Sequence, residues 1–285
     1  MIVAGSKSQV LAARVARETG RELIRAEYET FPDGERLVRV PGVSSGDRVA
    51  VVASTPTDAA YVELLQLLDA VRDAARVDLV LPYMGYSRQD DEFDEGEAVS
   101  ARAVASALPD VDSVTTVNLH ETSVLGDWFG APERTDLNAA PVLADALGVD
   151  APLVVAPDEG ARRLAEEVAE RLGGDADHLV KERLSGGEVR METRAVDAEG
   201  RDAVLVDDMV ATGGTVSEAV EVLRQNGARS VSVACVHPVL AGNAVLRLYS
   251  AGVERVVATD TLGTALSEVS VAPLVADRLD EMGRR

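Results

Sequence analysis

Two adjacent carboxylates, Asp207 and Asp208, close an apolar run in VLVDDMVATGGTV, residues 204–216, and Thr212-Gly213-Gly214-Thr215 follows them. A carboxylate pair repels itself and repels phosphate. A glycine-rich turn that opens a helix does the opposite. Its first N–H groups have no intrahelical partner, and the positive end of the helix dipole lies there. Gly213 and Gly214 carry no Cβ, so an anion can approach the backbone, and the hydroxyls of Thr212 and Thr215 add donors. Asp207 and Asp208 can accept hydrogen bonds from vicinal hydroxyls, or hold Mg²⁺ through water. Together the parts describe a site for a sugar phosphate, with the phosphate in the turn and the diol on the acids. Each part alone has a plainer reading, the acids as solvated surface and the turn as a loop with an N-cap. Neither a G-x-x-x-x-G-K-[ST] loop nor a G-x-G-x-x-G fingerprint is present.

Further polar and charged groups stand apart from this loop. FPDGE, Phe31 to Glu35, contains a Pro-Asp-Gly turn and by itself reads as a surface hairpin with Phe31 in the core. In LPYMGYSRQDDEF, residues 81–93, Arg88 offers a planar fork that suits phosphate oxygens, although in so acidic a chain its plainer reading is a surface salt bridge. His120 of VNLHET lies just past an expected strand end and reads as a metal or phosphate ligand; metal binding would need oxygen donors from elsewhere. Asp158 of APDEG opens a helix, as a cap, a ligand or both.

The segment HLVKERLSGGEV, residues 178–189, holds Lys181, and only Lys7 and Lys181 are lysines among 28 basic residues. A compact ammonium can neutralise charge on a transferring phosphoryl group. Arg183, two residues on, shares its side of an extended strand. The Ser185-Gly186-Gly187 turn suits a closing lid. Lys7 shows that a surviving lysine can also be incidental.

Positioning these groups requires alternating strands and helices. Val-rich runs predict strands at 2–4, 49–53, 78–82, 114–119, 153–156, 203–206, 230–236 and 255–259, buried on both faces of a parallel sheet. Amphipathic helices are expected at 62–72, 96–107, 160–171 and 215–226, the last stopped by Gly227. RVAVVASTPTD from Arg48 echoes RDAVLVDDMVA from Arg201, and the later pairs Ala75-Arg76 and Ala228-Arg229 repeat the spacing. The echo implies two similar α/β domains, 1–142 and 143–285, each a mostly parallel sheet flanked by helices. The first copy lacks the acid pair and the glycines, which assigns it scaffold and interface roles at that loop. The stretch 271–282 is expected to be a helix packing on the first domain.

The chain has 285 residues, 46% of them apolar and only 3% aromatic, so Val, Leu and Ala must fill the core. Forty-nine acidic against 28 basic residues give a net charge of −21, which repels nucleic acid and anionic membranes and suits work in very high salt. No apolar run is long enough to span a membrane, and the N-terminus does not read as a signal peptide. The single Cys235 excludes an internal disulfide and fits a cytoplasmic protein.

The acid pair and Thr-Gly-Gly-Thr turn resemble the phosphoribosyl pyrophosphate (PRPP) loop of the type I phosphoribosyltransferase fold. With FPDGE, Arg88-Gln89-Asp90, Lys181-Glu182-Arg183 and Ser270-Val271-Ala272-Pro273 in order, the chain resembles the ribose-phosphate pyrophosphokinase family nearly end to end. The resemblance implies Mg²⁺-dependent transfer of the β,γ-pyrophosphoryl group of ATP to the C1 hydroxyl of ribose 5-phosphate, giving PRPP and AMP. It implies that Thr212, Gly213, Gly214 and Thr215 bind the 5-phosphate and Asp207 and Asp208 the ribose hydroxyls. ATP would be held by Phe31, Asp33, Glu35, Arg88, Gln89 and Asp90, metal by His120 and Asp158, and the transition state by Lys181 and Arg183. It further implies a homo-oligomer with Phe31 to Glu35 reaching a neighbouring subunit's nucleotide. Asp91, where the family often has a basic residue, departs from the pattern, as do Asn118 and Glu121-Thr122-Ser123. Two other readings share parts of it: a phosphoribosyltransferase that consumes PRPP, and a non-catalytic regulatory relative. The first is not expected to combine FPDGE, Arg-Gln-Asp and Lys-x-Arg.

Overall fold

The computed structural model describes residues 1–183, 189–192 and 196–284; for residues 127, 180–183 and 189–192 the description is of the backbone alone. The chain divides into two compact units, one of residues 1–138, 261–263 and 270–285, the other of residues 139–260 and 264–269.

The first unit runs β1 (Ile2–Ala4), α1 (Gln9–Thr19), β2 (Leu23–Ile24), β3 (Glu27–Thr30), β4 (Arg36–Arg39), β5 (Arg48–Val52), α2 (Asp58–Ala70), β6 (Arg76–Leu81), α3 (Ser100–Ser106), β7 (Ser113–Val117), α4 (Ser123–Asp127) and β8 (Glu133–Leu137). The second runs α5 (Ala140–Leu147), β9 (Leu153–Ala156), a 3₁₀ turn (Glu159–Ala161), α6 (Arg162–Leu172), β10 (Asp175–His178), β11 (Val180–Arg183), β12 (Val189–Glu192), β13 (Asp202–Met209), α7 (Gly214–Gln225), β14 (Ser230–His237), α8 (Ala244–Ala251), β15 (Arg255–Thr259) and β16 (Ser267–Val269). The closing helix, α9 (Ala272–Gly283), packs on α1 of the first unit.

Each unit is built on a six-stranded parallel sheet, ordered β2-β1-β5-β6-β7-β8 in the first and β10-β9-β13-β14-β15-β16 in the second. The two orders are one connectivity used twice. In both, an antiparallel hairpin leaves the chain between the second and third strands: β3-β4 in one, β11-β12 in the other. The 153-residue sequence echo superposes β5 on β13 in this scheme. FPDGE and the Lys181 segment therefore occupy equivalent hairpins.

Burial on both faces explains the Val-rich runs. In β5 all of Val49 to Val52 are buried, and β9 and the first half of β13 are as closed. One charged side chain on the strands of the first sheet is buried: Asp78 of β6 is 3% exposed. It is compensated by Arg76 Nε at 2.8 Å and by Ser113 Oγ, which donates at 2.7 Å. Local signals set the ends of helices. Thr57 caps α2 by accepting from Ala60 N–H at 3.2 Å, so α2 starts at Asp58 rather than Val62. At the end of α7, Gly227 N–H reaches Arg224 O at 3.1 Å and Ala228 N–H reaches Leu223 O at 3.1 Å, a Schellman pair that requires the left-handed φ of +81° at Gly227.

Candidate active site

Strand β13 continues through the acid pair to Met209; Asp207 pairs in register with Cys235, and Met209 with His237, of β14. Parallel strands put their carboxyl ends together, so Asp158 beyond β9 comes within electrostatic reach of Asp207. Burial pushes the Asp207 carboxyl well above the usual carboxylate range, and the charge and hydrogen bond of Asp208 and the charge of Asp158 push it the same way. Beneath the pair the Cys235 thiol is fully buried and pushed up, first by burial and then by the same two acids. A cation or hydroxyl donors at Asp207 would relieve the burial and like charge that disfavour its carboxylate. Oxygen donors of this kind suit Mg²⁺, which commonly takes one or two carboxylates and completes its shell from water and substrate phosphate. No three His, Cys, Asp or Glu side chains converge as a self-sufficient metal cage among the described residues.

The following segment is clamped on its outer side. Val210 N–H donates to His237 O at 3.1 Å, and Leu240 and Ala241 N–H donate to the carbonyls of Val210 and Ala211 at 2.9 Å each. Gly213 then caps α7 with φ +74° and ψ 5°, a conformation that costs an L-residue with Cβ. A Cβ on Gly213 would stand 3.4 Å from the Ala244 carbonyl oxygen, and one on Gly214 would stand 3.2 Å from Arg247 Nη1. Thr212 is exposed, and Gly214 and Thr215 are half-buried, at the open N-terminus of a twelve-residue helix. The acids and the turn are thus consecutive features at the carboxyl end of a central strand.

In the first unit Phe31 is 39% exposed, so it is an exposed anchor at a hairpin tip and not the core residue of the plainer reading. Phe31 N–H donates to Glu35 O at 2.8 Å and Glu35 N–H to Asp33 Oδ1 at 3.1 Å, which closes the loop. A buried side chain missed in the sequence holds this hairpin. Glu63 of α2 is 2% exposed, accepts from Ser6 N–H at 2.6 Å and lies 3.7 Å from Arg36, while Gln66 Nε2 donates to Arg36 O at 2.8 Å. The acid's place in an otherwise apolar helix face was the available signal.

Arg88 is exposed and makes no ion pair or hydrogen bond through its side chain among the described residues. Gln89 Nε2 donates to Glu97 at 3.0 Å, and Asp90 is half-buried. His120 is exposed beyond β7. Asp158 stands at the cap position of the 3₁₀ turn without capping it through its side chain. Three non-glycine residues with positive φ lie in these segments: Tyr86 at 67°, Asn118 at 40° and Leu240 at 47°. Strain of this sort gathers where a loop is held for a purpose. It also gives a reason for Asn118, since asparagine tolerates the left-handed region better than most residues. Lys181 and Arg183 lie on the backbone of β11; their side chains, and the Ser185-Gly186-Gly187 turn, lie outside the described residues. No helix among the described residues is long and apolar enough to cross a membrane.

Residues 1–111 match the N-terminal domain of ribose phosphate pyrophosphokinase, and residues 139–258 match the phosphoribosyl transferase domain. A ribose-phosphate pyrophosphokinase of Halobacterium salinarum is 51% identical over 285 residues, covering 98% of this chain and 100% of the relative. One from Methanosarcina mazei is 49% identical over 281 residues, covering 98% and 94%. The crystal structure of phosphoribosylpyrophosphate synthetase from Mycobacterium smegmatis is similar with a TM-score of 0.86 at 30% identity, over 100% of this chain and 98% of that one.

Proposed function

The chain belongs to the ribose-phosphate pyrophosphokinase family, and we propose on that premise that it transfers the pyrophosphoryl group of ATP to the C1 hydroxyl of ribose 5-phosphate, releasing AMP and PRPP. The observation that carries the reading is the acid pair near the end of β13, followed directly by the open turn of α7.

The N–H groups and hydroxyls of Thr212 to Thr215 bind the 5-phosphate, and Asp207 and Asp208 accept from the ribose hydroxyls. Phe31 stacks on adenine while Asp33 and Glu35 accept from its edge. This loop serves the nucleotide of a neighbouring subunit, so the active form is a homo-oligomer. Arg88, Gln89 and Asp90 serve the triphosphate side, and Arg88 with its uncommitted fork grips the phosphate oxygens. His120 and Asp158 would hold Mg²⁺, which when bound supplies neutralisation of the triphosphate charge. Lys181 and Arg183 donate to the oxygens around the β-phosphorus as negative charge develops there. The C1 oxygen forms its bond to the β-phosphorus as the bond to the α-phosphate bridging oxygen breaks, AMP leaves in line, and the C1 hydroxyl proton passes to solvent. Positioning and charge stabilisation do the catalysis, without a covalent intermediate. In this division residues 1–142 supply nucleotide and interface segments and residues 143–285 the sugar phosphate site.

The test is AMP release by the purified full chain in molar KCl, with MgATP and ribose 5-phosphate. AMP formation should require all three components, and ADP should not appear. ADP as the product, or AMP release independent of ribose 5-phosphate, would overturn the reading.

A further inference from the structure

We infer that Arg247 of α8 is an additional phosphate-binding residue of the ribose 5-phosphate site, acting from outside the Thr212–Thr215 turn; this rests on the sugar phosphate reading above. The guanidinium of Arg247 lies against the turn where Gly214 has no side chain. The point a Cβ would occupy on Gly214 is 3.2 Å from Arg247 Nη1 and 3.9 Å from Thr212 Oγ1, so a cationic fork and a hydroxyl donor flank the same glycine. A Cβ at 214 would crowd the guanidinium tip by a few tenths of an ångström, whereas the atoms nearest a Cβ at 213 belong to Ala244.

The charge context makes the placement informative. In a chain of net charge −21, arginines find carboxylates easily. Every other arginine of this unit with a described side chain, from Arg162 to Arg255, donates to a carboxylate or a carbonyl. Arg247 has no such acceptor among the described residues, and it is exposed. Unlike the backbone donors of the turn, a guanidinium carries a full charge and can take two phosphate oxygens at once. It lies on the far side of the turn's glycines in sequence, on a separate helix, so it can select for the dianionic 5-phosphate over the uncharged sugar end. No residue of the chemical step is involved: Arg247 raises affinity and selects substrate.

Arg247→Ala and Arg247→Lys should be compared with the parent protein. Arg247→Ala is expected to raise KM for ribose 5-phosphate by about 10- to 100-fold, the range a charge-assisted hydrogen bond commands, with kcat within about 3-fold and KM for ATP unchanged. Inhibition by inorganic phosphate competing with ribose 5-phosphate should weaken by a similar factor. Arg247→Lys should recover part of the loss, because it restores the charge without the fork. An active Arg247→Ala protein with an unchanged KM for ribose 5-phosphate would overturn the inference, as would an equal rise in KM for ATP. A parent protein that neither binds ribose 5-phosphate calorimetrically nor releases AMP would instead overturn the sugar phosphate reading, and this inference with it.

Discussion

Gly213→Ala tests whether the turn at the start of α7 works through its strained geometry. The residue sits at φ +74°, ψ 5°. An L-residue in the left-handed region costs about 1–2 kcal/mol. The added methyl would stand 3.4 Å from the Ala244 carbonyl oxygen, an ordinary contact that adds little. The penalty must then appear in one of two places. If the turn keeps its shape, the folded protein is destabilised by about 1–2 kcal/mol. If it relaxes to negative φ, stability is kept, and the same energy must be restored on binding; ribose 5-phosphate affinity falls about 5- to 30-fold. Urea unfolding and calorimetric titration with ribose 5-phosphate together measure both. Gly46 is a suitable control, since it has no positive φ and nothing lies within 4 Å of an added Cβ; Gly46→Ala should change stability by less than about 0.5 kcal/mol. A Gly213→Ala protein unchanged in both stability and affinity would refute the reasoning.

Four further outcomes are expected. Lys181→Ala should lower kcat by about 100-fold or more with an unchanged circular dichroism spectrum, and near-parental kcat would remove Lys181 from the chemical step. Arg88→Ala should raise KM for ATP about 10-fold while leaving KM for ribose 5-phosphate in place, as measured by steady-state kinetics. Glu63→Ala strips the buried acceptor from Ser6 N–H and should destabilise by about 1–3 kcal/mol, with faster amide exchange across residues 27–39 and a raised KM for ATP; unaltered exchange there would sever Glu63 from the hairpin. The raised Asp207 pKa means the folded protein binds more protons than the unfolded chain above the ordinary carboxylate range, so stability is lost as pH rises through that raised value. With chelator present, Asp207→Asn should therefore melt higher than the parent at neutral pH, with the gap closing toward about pH 4, and should lose activity; a lower neutral-pH melting temperature would contradict the sign.

The parallel sheets were readable because burial on both faces leaves continuous Val and Leu runs, and β1, β9 and β15 have the expected bounds. Strand β13 runs three residues past its expected end. Main-chain pairing with β14 continues at Asp207 and again at Met209, and charge at the mouth of a sheet does not break a ladder. The short strands β3, β8 and β10 are rich in Glu, Asp, Thr and Arg; their polar, partly exposed residues carry no apolar period. Helix α3 begins at Ser100 rather than Gly96, where φ is +86°. The grouping of the candidate residues on β13 and α7 was readable because one strand end and one turn hold them consecutively. Glu63 and Arg247 were not, because each acts on a segment distant in sequence: Ser6 and Arg36 for one, Gly214 for the other.

The most direct measurement is ³¹P NMR of the full chain with ribose 5-phosphate and MgATP in molar KCl. The account predicts equal growth of AMP and of a new sugar C1-diphosphate as the ATP resonances decline. Folded, oligomeric protein that leaves ATP and ribose 5-phosphate unchanged, or that yields a sugar monophosphate and ADP, would contradict it.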